Sequence, residues 1–190
     1  MNSMNDVEKA TDVLREEHRL IANALVAMAA SIKKLEKGYT LDRRQVWEMA
    51  GAFVTFVGRM HHGKEDFLLS MIRARKGCSD EYAIRTFYDE HHRVEELLAR
   101  LRKTAAEYLD AADQDSERLI ESLQQVVDFY PGHMWKADHV LFPLADDLLS
   151  DTDQGVLVEH FSWIESIVGG DADENLRAIV AEFCPRPKAA

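Results

Sequence analysis

Four histidines have the setting expected of metal ligands. His18, His61, His91 and His133 each fall on the apolar side of a separate amphipathic segment. A buried polar group without a partner costs several kcal/mol, so four imidazoles on core faces require something to bind them. A metal ion satisfies imidazole nitrogens and carboxylate oxygens together. We therefore interpret these histidines as the ligands of a metal site.

Two of the histidines have a carboxylate about one helical turn later. Glu65 follows His61 by four residues, so both side chains leave one helix face and can hold one ion, or two if the carboxylate bridges them. Asp138 follows His133 by five residues, a looser match to one turn. This nitrogen and oxygen donor set suits iron, manganese or zinc and excludes an iron–sulfur cluster.

The other four histidines, His62, His92, His139 and His160, fall away from these apolar stripes. His62 and His92 directly follow a ligand histidine and are therefore rotated by about 100° around the helix. We keep His62 as a candidate ligand, because an adjacent residue can reach a second ion. We expect His92 to flank the bundle or to support a ligand, and His139 and His160 to lie outside the site.

Glu17 and Glu90 directly precede His18 and His91. They are either charges on the helix surface or acceptors that orient an imidazole ring. We favour the surface position for both.

The elements that would position these residues are long helices. The chain has four prolines, its glycines mark the breaks, and periodic apolar residues fill the intervals. Helices are predicted at about 6–36, 42–75, 80–111, 116–149, 155–168 and 171–183. Short connections make neighbouring helices antiparallel. The prediction is an all-α, up-down-up-down four-helix bundle with additional short C-terminal helices: residues 1–150 form the bundle with the metal site, and 151–190 form an extension packed on it.

The fourth helix contains Pro131-Gly132 directly before His133. Proline removes a backbone donor and clashes with the preceding turn, so we expect a kink within one continuous helix. The predicted apolar stripe of this helix is Val126, Phe129, His133, Ala137, Val140 and Leu144.

Composition narrows the class of protein. A chain of 190 residues, 46% hydrophobic and 30% charged, fits one globular domain. Its net charge of -11 argues against nucleic acid as a partner, and no apolar run approaches the roughly 20 residues of a membrane span.

The N-terminus does not resemble a secretory signal, so we expect a cytoplasmic protein. Cys78 and Cys184 suggest neither a CxxC site nor a disulfide framework.

The motifs around the four histidines resemble those of the hemerythrin-like family, also called the HHE cation-binding domain. They read EEHRL around His18, HHGKED from His61, DEHHRVEEL around His91 and HMWKADHVLFP from His133. The resemblance covers roughly residues 10–150.

The resemblance implies a non-haem di-iron centre inside the bundle, bridged by carboxylates and an oxo or hydroxo group. Family members bind dioxygen reversibly, sense oxygen or redox state, respond to nitric oxide, or handle iron. The ligands that it transfers to this chain are His18, His61, Glu65, His91, His133 and Asp138.

The chain departs from the family pattern at two positions. Ala137 stands where helix four often carries a glutamate, so a bridging carboxylate from this helix must be Asp138. Glu95 stands one turn after His91, where oxygen carriers supply a further histidine. Either Glu95 ligates, or that iron keeps an open or water-filled position that can take dioxygen, peroxide or nitric oxide.

Five aromatic residues are candidates for the walls of a pocket that excludes water, with ordinary core packing as the alternative. They are Trp47, Phe53, Phe56, Phe129 and Trp135.

The leading functional hypothesis is a binding protein that takes up a small diatomic molecule or oxidant for sensing, storage or carriage. Signalling would require a protein partner, for which residues 156–167 offer a surface, although we favour a role for this segment as a cap on the bundle. The alternative is a di-iron oxidoreductase acting on peroxide or nitric oxide, or an iron donor for metal-centre repair. A third hypothesis is a metal-free helical interaction protein.

Overall fold

The computed structural model describes residues 9–76, 81–110 and 116–183. Within these ranges the chain is helical and contains no strand, which confirms the all-α prediction. Cys78 and Cys184 lie outside the described residues. In the described part, no helix combines the length and the apolar character that crossing a membrane requires.

The described residues form eight α-helices and two π-helical segments. The first π segment, Val54–His61, joins α2 to α3, and the second π segment, Ala137–Leu141, joins α5 to α6. Residues 43–76 and 117–148 are therefore two uninterrupted helical stretches. The α-helices are α1 Ala10–Glu36, α2 Arg43–Phe53, α3 His62–Lys76, α4 Glu81–Asp110, α5 Glu117–Lys136, α6 Phe142–Leu148, α7 Asp151–Val168 and α8 Ala172–Phe183.

Most helix ends lie within two residues of the predicted ends, but α7 begins at Asp151 rather than near 155. The reason is a capping box: the Ser150 side chain accepts from the backbone N–H of Asp153, whose carboxylate accepts from the backbone N–H of Ser150. The sequence contains this signal, and the prediction missed it.

Pro131 lies inside α5, which continues without a break to Lys136. The irregularity comes one turn later, in the second π segment. A π turn closes a wider ring than an α turn and so contains an extra residue. As a result, Val140 is 45% exposed, and the buried positions are Leu141 and Ala145. The predicted stripe is wrong at Val140, whereas Leu144 is partly buried and packs against the core.

The long helices pack directly against one another. α1 packs against α5, α2 and the first π segment pack against α4, and α4 packs against α5. The two C-terminal helices pack onto these: α7 lies across α3, and α8 contacts α1 and α2. The elements that carry the four histidines are thus held together by direct contacts.

The buried apolar residues form two clusters, and each ligand-bearing stretch contributes to both. On α1, for example, Leu14 belongs to the smaller cluster and Ile21 to the larger, with His18 between them. The same holds for His61, between Val57 of the larger cluster and Leu68 of the smaller. The histidines therefore occupy the boundary between the two clusters.

Candidate metal centre

Glu65 lies at the centre of the histidines and is fully buried. Its Oε2 lies 3.0 Å from His91 Nε2, 3.3 Å from His133 Nε2 and 3.6 Å from His61 Nε2. Its Oε1 lies 3.7 Å from His18 Nε2. One carboxylate thus faces imidazole nitrogens from three other helical elements and from its own.

These side chains form two groups, and within each group the potential donor atoms lie within 4.8 Å of one another. An ion with bonds of about 2.1 Å holds adjacent ligands about 3 Å apart and opposite ligands about 4 Å apart. Each group therefore has the dimensions to enclose one ion, and Glu65 belongs to both. Its companions are His62, His91 and His133 in what we call the three-histidine group, and His18 and His61 in the two-histidine group.

Four of the histidines are oriented by carboxylates. Since a carboxylate can only accept, each Nδ1 donates a proton to its carboxylate, and each Nε2 is the ring nitrogen on the side of Glu65. Such carboxylate–histidine pairs are typical of metal sites, where they fix the tautomer and the ring orientation. The pairs are His18 with Asp138 at 2.9 Å, His61 with Glu17 at 2.8 Å, His91 with Asp66 at 2.7 Å and His133 with Glu90 at 3.0 Å.

Several polar atoms at the centre have no hydrogen-bond partner in the described part of the chain. They are His18 Nε2, His61 Nε2, His62 Nε2 and Glu65 Oε1, and all are buried. Leaving one such atom unsatisfied costs about 1–3 kcal/mol. Because all four point to the same small region, the donor set fits a bound cation.

His62 joins the site through the first π segment, which ends immediately before it. Its ring stacks on His91, with centroids 4.4 Å apart, and meets His133 edge-on at 5.4 Å. The regular helical rotation used in the prediction placed His62 off the stripe. The wider turn before it instead allows consecutive residues, His61 and His62, to be buried on the same side.

Two predicted ligand positions do not join the groups. The Asp138 side chain is 35% exposed and bonds Nδ1 of His18, the ring nitrogen that faces away from Glu65. Glu95 is 78% exposed and lies 3.5 Å from His92 on the surface of α4. The structure therefore places Asp138 on the outer side of His18, and it places Glu95 away from both groups.

The surface interpretation of Glu17 and Glu90 is wrong. Each accepts a hydrogen bond from a ligand histidine on a different helix, and only 8% of Glu17 is exposed. Asp66, which the sequence analysis missed, does the same for His91. The signal was available in the sequence, since each of these three acids is adjacent to a candidate ligand.

The aromatic residues around the candidate site differ in part from those predicted to line a pocket that excludes water. Trp47 and Trp135 are 42% and 58% exposed, so they do not line a closed pocket, whereas Phe53 and Phe56 are fully buried. Phe129 stacks on His133 with centroids 5.8 Å apart.

The sequence analysis also missed Tyr130, which lies one turn before His133. Its ring is fully buried and nearly parallel to that of His62, with centroids 6.1 Å apart. Its hydroxyl has no hydrogen-bond partner among the described residues. Burial, together with the charge of Glu65, raises the pKa of this phenol well above 10, so it stays a neutral donor.

The protonation states of Glu65 and His62 favour cation binding, whereas that of His91 opposes it. Burial opposes ionisation of Glu65, but the charge of His61 and hydrogen bonds from the other histidines hold its pKa well below 4.5. Burial and neighbouring His91 lower the pKa of His62 well below 6.5. Burial lowers the pKa of His91 too, but hydrogen bonds to Asp66 and Glu65 outweigh it and raise the value to about 9. Binding a cation therefore requires the release of a proton from His91.

Comparison with protein-family models matches the chain to the hemerythrin HHE cation binding domain over residues 9–145, with a further match over residues 82–162. The first match covers well over half of the chain and contains every residue of both donor groups. Searches of curated proteins and of solved structures returned no match.

Proposed function

Because the chain belongs to the hemerythrin HHE cation-binding family, we propose that it holds a di-iron centre that binds dioxygen or another small oxidant or diatomic molecule, in sensing, storage or carriage. The observation that carries this proposal is the position of Glu65, shared by two donor groups that each have the dimensions of one ion. The proposed ligands are His18, His61, His62, Glu65, His91 and His133.

The two groups differ in the number of protein donors, which bears on where a small exogenous molecule would bind. The three-histidine group offers four protein donors and the two-histidine group only three. An ion held by fewer protein donors keeps positions at which an exogenous molecule can bind. We therefore propose that dioxygen, nitric oxide or peroxide binds at the ion held by His18 and His61, rather than at the His91 iron as the sequence suggested.

The proposed architecture is the up-down-up-down bundle of residues 1–150, with 151–190 as an extension packed on it. The two apolar clusters support it. Along α1 and α4 the chain passes from the smaller cluster to the larger, and along 43–76 and 117–148 it passes from the larger to the smaller. This alternation is the one that four antiparallel neighbours produce.

Replacement of the shared carboxylate tests the metal centre. After anaerobic loading with ferrous iron, we expect two irons per wild-type chain by elemental analysis and fewer than one in Glu65→Gln, with a lower melting temperature. Glu95→Gln is the matched control, since Glu95 follows His91 as Glu65 follows His61 but is exposed. Equal iron in wild type and Glu65→Gln would contradict the proposed centre.

A second candidate function, an oxidoreductase acting on peroxide or nitric oxide, is favoured by the unpartnered Tyr130 hydroxyl. A neutral donor beside His62 can hydrogen-bond to an oxidant during turnover. Stopped-flow spectroscopy of the reduced, iron-loaded protein separates the two functions. A stable spectrum after mixing with dioxygen supports binding, whereas repeated consumption of peroxide or nitric oxide, diminished in Tyr130→Phe, supports catalysis.

A further inference from the structure

A buried lysine connects α7 to the candidate metal centre. Lys64 lies in the first turn of α3 and is fully buried. Its Nζ donates to a carboxylate oxygen of Glu17 and, at 2.6 Å, to Oε1 of Glu165 on α7. The Phe161 ring, one turn earlier on α7, lies 5.6 Å from the ammonium group. Helix α7 thus supplies both an anionic partner and an apolar cover for this cation.

The second oxygen of Glu17 continues the connection to the centre. It accepts from Nδ1 of His61 at 2.8 Å, and His61 Nε2 is one of the free donor atoms of the two-histidine group. A continuous series of charged hydrogen bonds therefore runs from Glu165 through Lys64 and Glu17 to a candidate ligand. We call Glu165, Lys64 and Glu17 the latch.

The charges explain why the latch acts as a unit. Glu17 is 8% exposed, so its charge needs a buried counter-ion, and Lys64 provides it. Lys64 carries three N–H donors, and α7 supplies a second carboxylate acceptor for them. Without the Glu165 charge, Lys64 keeps Glu17 as its remaining carboxylate partner, so the ammonium group is no longer held from both sides and can shift relative to Glu17. A change at Glu165 is thereby transmitted to the carboxylate that orients His61.

We propose that docking of α7 through the latch raises the metal affinity of the two-histidine group, with Lys64 and Glu165 acting as positioning residues for His61. This inference rests on the proposed metal-binding function. Because coupling between two sites is reciprocal, metal binding must stabilise docked α7 by the same factor. Glu165 lies beyond both ranges that match the family model, so the latch joins the family domain to a segment outside it.

The test compares two glutamates of α7 in the full-length protein. Glu165→Gln removes the latch charge from a position that is 44% exposed, so the variant should fold. Glu159→Gln makes the same change at an exposed position of the same helix. Ferrous iron affinity is measured by competition with a chromogenic chelator, and amide hydrogen exchange of residues 151–168 is followed with and without iron.

We expect Glu165→Gln to weaken iron binding by roughly three- to tenfold, less than the 10- to 100-fold typical of a residue that bonds a ligand directly. We also expect iron to slow exchange in α7 of the wild type and of Glu159→Gln, and to do so less in Glu165→Gln. Lys64→Met, which breaks the latch at its centre, should weaken binding further.

The outcomes distinguish the latch from the metal site itself. Equal iron affinity in the two glutamine variants, or α7 exchange that does not respond to iron in the wild type, would overturn the latch while leaving the metal site intact. A wild-type protein that binds no iron would overturn the proposed function, and the latch with it.

Discussion

At the scale of single residues, the carboxylates of the candidate centre occupy two kinds of position. Glu65 faces the imidazole nitrogens, whereas Glu17, Asp66, Glu90 and Asp138 each bond the outer nitrogen of a histidine. Each outer carboxylate comes from a different helical element than the ring it holds. The orientation of every such ligand thus depends on the packing of two elements.

His62 and His92 provide a matched pair for testing the three-histidine group. Both directly follow a candidate ligand, but His62 is 5% exposed and His92 has a side chain that is 79% exposed. We expect His62→Ala to lower the iron content by about one ion per chain, and His92→Ala to leave it unchanged, by elemental analysis. Unchanged iron in His62→Ala would remove His62 from the ligand set.

The raised pKa of His91 predicts how the stability of the metal-free protein depends on pH. Between about 6.5 and 9, His91 is protonated in the folded state and neutral in the unfolded state. The folded state then binds more protons, so the free energy of unfolding falls as pH rises through this window, by at most about 3 kcal/mol. Denaturant unfolding at several pH values checks this, and the slope should disappear in His91→Gln.

The sequence predicted the residues of the candidate centre best where they obey a regular helical period. His18, His61, His91, His133 and Glu65 follow their apolar stripes, and all five are buried together. The outer carboxylates were harder to assign, because whether an acid beside a ligand points to solvent or to a neighbouring ring depends on how two helices pack. Sequence spacing within one helix does not contain that information.

At the scale of elements, the two π segments account for what the regular period could not predict. The first brings consecutive histidines to the centre, and the second moves the buried stripe from Val140 to Leu141. A π turn depends on the tertiary contacts that favour it and has no simple sequence signature, although such turns are frequent at functional sites. The continuous helical stretches of the described residues and most of their boundaries, by contrast, followed from apolar periodicity and breaks.

Gly58 lies in the first π segment where it approaches α4. A Cβ at this position would lie 2.9 Å from Leu98 Cδ1, whereas a Cβ at Gly51, in α2, would meet no atom within 4 Å. We expect Gly58→Ala to destabilise the protein by about 1 kcal/mol, because the Leu98 side chain must move. Gly51→Ala should stabilise it by about 0.5–1 kcal/mol, since alanine loses less backbone entropy in a helix. Thermal unfolding of both variants tests this difference in sign.

At the scale of the whole molecule, the candidate centre is the place where four helical stretches meet inside the protein. Metal bound there would stabilise the folded state by an amount that depends on ion concentration and affinity. The two apolar clusters contain none of the residues of the two donor groups. Metal therefore adds to the stability of a fold that already has a core.

Chelation tests this distinction. We expect removal of iron to lower the melting temperature by several degrees, in proportion to the logarithm of the iron concentration used for loading. The helical circular dichroism signal at 25 °C should stay within about a tenth of its loaded value. Loss of most of that signal on chelation would mean that the fold itself requires the metal.

The boundary between the two apolar clusters has a consequence for cooperativity. The plane between the two clusters contains buried polar atoms that have no hydrogen-bond partner among the described residues, and each one left unsatisfied costs about 1–3 kcal/mol. Without a cation, this plane therefore links the two halves of the interior less strongly than apolar packing would. Calorimetry of the chelated protein should then give a broad or two-step transition, with a calorimetric enthalpy larger than the van't Hoff enthalpy. Loading with iron should restore a single sharp transition, because the ions join the two halves into one unfolding unit.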